Sequence, residues 1–115
     1  MHDLLNSFTT ELRRGTLTLA VLSQLDSPQY GYSLVQCLEQ SGVAIEQSTL
    51  YPLLRRLEKQ ELVTSSWDTT ESRPRKYYVL SDKGKQVLIE LKNEWDKMSG
   101  ELNLLLKGAK INEMD

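Results

Sequence analysis

Residues 47–80 read QSTLYPLLRRLEKQELVTSSWDTTESRPRKYYVL, and the hydrophobic period changes once inside them. Leu50, Leu53, Leu54 and Leu57 recur at spacings of three and four, which predicts a helix over 47–60 with those leucines inward. Leu62–Trp67 and Lys76–Leu80 are rich in Val, Thr, Trp and Tyr and read as two strands. The polar stretch DTTESRPR between them, longer than a tight turn, closes a hairpin. The helix has two candidate starts. Ser48 is a good N-cap residue type and Glu46 a weaker one; Pro52, tolerated near a helix start and costly further in, favours the later.

Upstream, Gly31-Tyr32-Ser33 opens a helix with Leu34, Val35 and Leu38 inward, closed by Gly42. TLTLAVLSQL (16–25) gives a helical run with Leu17, Ala20, Val21, Leu22 and Leu25 on one face, although its Thr and Val content also fits a buried strand; Asp26-Ser27-Pro28 ends it. Leu4, Leu5, Phe8 and Leu12 are spaced for a short amphipathic helix, which Gly15 is expected to break. Downstream, Ser81-Asp82 caps a last helix over roughly 82–106. Three short helices followed by a two-stranded ribbon with a basic tip make a winged helix-turn-helix domain. The expected class is therefore α+β, mainly helical, divided as residues 1–80 (DNA-binding domain with an N-terminal helix), 81–108 (dimerisation helix) and 109–115 (frayed tail).

At 115 residues, 39% of them hydrophobic and 26% charged, the chain is sized for one globular domain and is not a disordered tail. No apolar run approaches the ~18 residues of a membrane span. The N-terminus lacks the basic start and apolar block of a signal peptide, so a cytoplasmic protein with no membrane partner is expected. One cysteine excludes an internal disulfide framework and a multi-Cys zinc site. The only histidine, His2, is terminal, and Cys37 sits among apolar neighbours as a core thiol would. With no phosphate loop, paired carboxylates or metal-ligand spacing, neither enzyme activity, nor a cofactor, nor a metal is expected.

The net charge is −2, but it is unevenly spread: residues 47–85 hold eight Lys/Arg against five acids, and the remainder six against eleven. A basic segment in an acidic chain points to one local polyanion footprint, here double-stranded DNA. The major groove admits one helix, and the third helix of a tri-helical unit is the one presented. The outer face of 47–60 offers Gln47, Ser48, Thr49, Tyr51, Arg55, Arg56 and Lys59. Thr49 and Tyr51 lie near its start, and Arg55 and Arg56 supply guanidinium forks for phosphate or guanine edges. Arg73, Arg75 and Lys76 at the ribbon tip suit phosphates or a minor groove, with Pro74 stiffening the turn and Asp68 and Glu71 diluting the charge. Either element alone also reads as an ordinary solvated surface. The overall acidity fits a second reading, a winged-helix module that binds protein instead of DNA, and a third is a DNA-binding repressor of another winged-helix family.

LRRGTLTLAVLSQL, YGYSLVQCLEQ, STLYPLLRRLEKQELV and RPRKYYVLSDKGKQVL together resemble the PadR family of winged-helix regulators over about residues 12–98, and the TLYPLLRRLE and RKYYVLSDKG blocks are specific in combination. The short C-terminal part is similar to the single-helix subfamily. The resemblance implies a transcriptional repressor in which Thr49, Leu50, Tyr51 and Pro52 open the recognition helix. It makes the segment around Arg73, Arg75 and Lys76 the wing, and the last helix the dimer element. The family pattern places a small hydroxyl residue near position 46, where this chain has Glu46.

In the last helix Leu88, Leu91, Trp95, Met98, Leu102 and Leu105 alternate by three and four, an a/d seam about two and a half heptads long. A seam so short must pack on its own body or on a partner; a winged-helix core is complete before residue 81, which favours a homodimer. Gly100 inside the run costs ~1 kcal/mol against Ala and points to close packing or a bend. Two copies of Trp95 across a two-fold axis either fill the dimer core or leave an aromatic slot beside Met98. Such a slot suits a small, flat aromatic effector, and some members of the family that this chain resembles respond to aromatic compounds.

Overall fold

The computed structural model describes residues 1–108; the expected frayed tail, 109–115, lies outside the described residues. The first helix, α1, runs unbroken from His2 to Ser23, so the expected break at Gly15 does not occur. A single glycine costs a helix only about 1 kcal/mol, and the turns that follow are anchored by Leu17, Ala20, Val21 and Leu22 against the core. That anchoring also settles the run from Thr16 as helix, not strand, as far as Ser23. Every residue before Thr16 is exposed, so the N-terminal half of α1 stands clear of its own body.

A two-residue strand, β1 (Gln29–Tyr30), leads into α2 (Gly31–Gln40). β1 is an addition to the expected order, because two residues display no period. α2 ends in a Schellman motif: Gly42 is left-handed (φ 85°), its N–H donates to the Glu39 carbonyl at 2.9 Å, and the Val43 N–H donates to Leu38 at 2.8 Å. Helix α3 (Gln47–Lys59) starts at the earlier site, with Glu46 as N-cap and no side-chain cap bond. The Glu46 carbonyl accepts the N–H groups of Thr49 and Leu50, both at 3.0 Å. From this start Leu50 is the fourth helical residue and is fully buried. Pro52 therefore falls in the second turn, where the carbonyl it leaves without a partner belongs to the exposed residue Ser48. Leu50, Leu54 and Leu57 are buried and Leu53 packs at their edge.

α3 also ends in a Schellman turn, with Glu61 in the left-handed position (φ 65°) and the Leu62 N–H donating to Leu57 at 2.9 Å. Strands β2 (Val63–Asp68) and β3 (Arg75–Leu80) pair antiparallel, with Val63 opposite Leu80 and Asp68 opposite Arg75. β1 pairs with the other edge of β3, giving the order β1-β3-β2. The core lies between this small sheet and the three helices, with Leu22, Leu25, Leu34, Leu50 and Leu54 fully enclosed.

Helix α4 (Asp82–Gly108) is capped by Ser81, whose hydroxyl accepts the Gly84 N–H at 3.0 Å and donates to the Glu61 carbonyl at 2.6 Å. Its first two turns pack on the body through Gly84, Val87 and Leu88; the whole 27-residue helix is about 40 Å long, most of it exposed.

Candidate nucleic-acid interface and subunit face

Because α3 turns its leucines inward, its outer side is polar apart from the exposed Pro52. Gln47, Ser48, Thr49, Arg55 and Arg56 are exposed. The Ser48 hydroxyl donates to the Glu46 carboxylate at 3.3 Å, and Arg56 Nη2 donates to Thr18 Oγ1 of α1 at 3.3 Å. Tyr51 is half-buried and lies against Gly31, at the start of α2, so closely that any side chain at 31 would collide with its ring. The α3 face thus has exposed groups near its N-terminus and cations in its second half, with one tyrosine between them keyed to α2.

The wing is shaped by Asp68, whose carboxylate accepts the Thr70 N–H at 3.0 Å and the Thr70 hydroxyl at 2.7 Å. Those two bonds hold the Asp68 carboxyl below its ordinary range. In the sequence Asp68 is no more than a diluting charge; in the fold it turns the chain at the end of β2. Beyond it Arg73 is exposed. Side chains alternate across β3, and the wing cations part accordingly. Arg75 lies over the Tyr30 ring, 4.7 Å from its centre, and Tyr30 meets Tyr77 edge-to-face at 5.5 Å. Lys76 points the other way, toward α3, where its ammonium pairs with Glu58 at 3.4 Å and lies 5.4 Å from the Tyr78 ring centre. Glu58 also accepts a hydrogen bond from the Ser65 hydroxyl of β2. That bond first, and Lys76 second, lower the Glu58 pKa against the opposing effect of burial. Glu58, Tyr30 and Thr18 were not singled out in the sequence; a carboxylate in the last turn of α3, against the helix dipole, was the one available signal.

Of the large apolar side chains left exposed, all but Tyr32 and Trp67 lie at the N-terminal end through Leu12 or on α4. On α4 these include Leu91, Trp95 (41% exposed), Met98, Leu102 and Leu105. Leu88, expected in the same seam, instead packs against the chain's own core. Gly100 has nothing within 4 Å of where a Cβ would stand. An open cleft of about 680 Å³ runs between α1, the α2–α3 connection and α4, lined by Arg13, Leu17, Val43, Ile45, Thr49 and Trp95 among others; Met98 is not part of its lining. Among the described residues no group of three or more His, Cys, Asp or Glu could hold a metal, and no helix is long and apolar enough to cross a membrane.

The model of the transcriptional regulator PadR-like family matches residues 18–90, from the second half of α1 into α4 and across the whole α3–wing unit. The chain belongs to the PadR-like family. The members of this family are transcriptional regulators, not enzymes. A crystal structure of a PadR family transcriptional regulator from Eggerthella lenta is 46% identical and covers 99% of this chain and 96% of its own, with a TM-score of 0.87. A transcriptional regulator of Mycobacterium tuberculosis is 29% identical over 80% of this chain and 87% of its own length. The structure of Bacillus subtilis PadR in complex with operator DNA is 25% identical, with a TM-score of 0.62, covering 69% of this chain and 47% of that one. The mainly helical winged architecture is thus a PadR architecture throughout.

Proposed function

We propose that the protein is a cytoplasmic, homodimeric repressor that reads duplex DNA with α3, steadies itself on the backbone with the wing, and lets go when a small aromatic ligand enters the subunit junction. The observation that carries the reading is the outer face of α3, where Gln47, Ser48, Thr49, Arg55 and Arg56 are all exposed, in a chain whose PadR relative from Bacillus subtilis was crystallised on operator DNA. Gln47, Ser48, Thr49 and Tyr51, at the N-terminal end of α3, are assigned to base edges and nearby phosphates. Arg55, Arg56, Arg73 and Arg75 are assigned to the backbone and to guanine edges.

The dimer reading is supported by the exposed apolar residues of α4, Leu91, Trp95, Met98, Leu102 and Leu105, because their spacing by three and four puts them along one side of the helix, where a partner helix would cover them. The exposed Leu4, Leu5, Phe8 and Leu12 of α1 extend the same demand for cover. Trp95 borders the cleft beside α1 and carries the effector reading, with Met98 one turn further along α4. A ligand there releases DNA only if it binds the two dimer geometries with different affinity.

Fluorescence anisotropy of a labelled duplex from the protein's own promoter, against an unrelated duplex over a salt series, tests the DNA reading. Preferential, steeply salt-dependent binding is expected; equal binding of the two, or none at low salt, contradicts it. On a Trp67→Phe background, planar aromatic compounds should quench Trp95 and release the promoter. Quenching without release, or none across a broad panel, removes the effector from the reading.

A further inference from the structure

Glu58 is the one acid in α3, and it stands in the last turn beside Arg56 and Lys59, where the helix dipole disfavours a negative charge. Local preference does not explain it; its partners do. One carboxylate oxygen takes the Ser65 hydroxyl from β2 and the other pairs with Lys76 of β3 at 3.4 Å. A single side chain of α3 therefore holds both strands of the wing. Of the six cations on α3 and the wing (Arg55, Arg56, Lys59, Arg73, Arg75, Lys76), Lys76 is the one in an ion pair among the described residues. The pair is not sealed: Lys76 keeps 31% and Glu58 35% of its side-chain surface in solvent.

Sequence-independent affinity for DNA grows with the number of phosphates neutralised, and each one steepens the salt dependence. A lysine next to Arg75 in the wing strand would add one such contact on any duplex. Resting on the DNA-binding reading above, we propose that Glu58 is a specificity-determining residue, a latch that withholds Lys76 from the phosphate backbone and so keeps affinity for random DNA low. The Ser65 bond aims the carboxylate, and the lowered Glu58 pKa keeps it ionised. Because it binds β2 as well as β3, Glu58 also holds the wing at a set distance from α3.

The test compares wild type, Glu58→Gln, and the double variant Glu58→Gln with Lys76→Gln on the promoter duplex and a random duplex over a salt series. Thermal melts confirm that each is folded. The near-isosteric glutamine removes the charge and frees Lys76. Random-duplex binding should tighten several-fold at low salt, the promoter-to-random ratio should fall, and the salt slope should steepen by about one unit per subunit. The double variant is neutral at this spot, as the wild-type pair is, and should return to the wild-type slope. A Glu58→Gln protein with wild-type slope and ratio, a parallel loss on both duplexes, or a double variant that keeps the steeper slope overturns the latch while leaving the DNA reading intact. A wild type that binds neither duplex overturns the DNA reading, and the latch with it.

Discussion

At Gly84 the first turn of α4 lies so close to the end of α3 that a Cβ would collide with the Leu62 carbonyl oxygen and press on Leu80. The obstacle is backbone, already fixed by the Ser81 N–H donating to Leu62 at 3.0 Å, so it cannot give way. Gly84→Ala should lose about 1–3 kcal/mol in urea denaturation; a loss below ~0.5 would show that α4 is not docked this way. Glu58 makes a second prediction at this scale. Ser65 and Lys76 hold its folded pKa below the unfolded value, so its stabilising contribution is present above the unfolded pKa and disappears as pH falls through the folded one. Glu58→Gln should therefore melt below wild type at neutral pH, with the gap closing below about pH 4. Discounted for solvent at a pair this exposed, the gap should stay under ~1 kcal/mol. A gap that widens in acid would contradict the pairing. Neither Gly84 nor Glu58 was legible in the sequence, because each matters only through residues brought beside it by folding.

At the scale of elements, α3 and the wing carry different parts of the proposed recognition. Arg55→Ala should weaken promoter binding more than random binding, whereas Arg75→Ala should weaken both about equally and flatten the salt slope by roughly one unit per lost phosphate contact. Equal losses from both variants on both duplexes would mean that α3 is not the reading element. Long periodic elements were the ones the sequence displayed. The leucines of α3 marked its inner face, Gly42 marked the end of α2, and Ser81 marked the start of α4. What misled was local preference outweighed by packing. Gly15 did not stop α1 because the turns beyond it are anchored, and Pro52 did not delay α3 because the carbonyl it leaves free belongs to the exposed Ser48. The α3 residues expected at DNA were legible as a polar face opposite the leucines. The division of Arg75 from Lys76 was not, since it depends on Tyr30 and Glu58 from other elements.

The molecule measures about 60 × 32 × 22 Å, and its long dimension comes from helices whose apolar faces are incompletely covered by the chain itself. A second copy is the proposed cover. Sedimentation should give a species of twice the 13.2 kDa chain mass, and Leu102→Glu should shift it toward the monomer and weaken promoter binding with it. A wild type that stays monomeric at micromolar concentration would leave the apolar face of α4 to some other partner. In the proposed two-fold dimer, the two α3 helices would face successive major grooves on one side of the duplex. Footprinting on the protein's own promoter region tests this account most directly. It should reveal two related half-sites whose centres lie ~34–36 Å apart, about one helical turn, or a multiple of that. A single unpaired site, or protection spread evenly along the duplex, would contradict it.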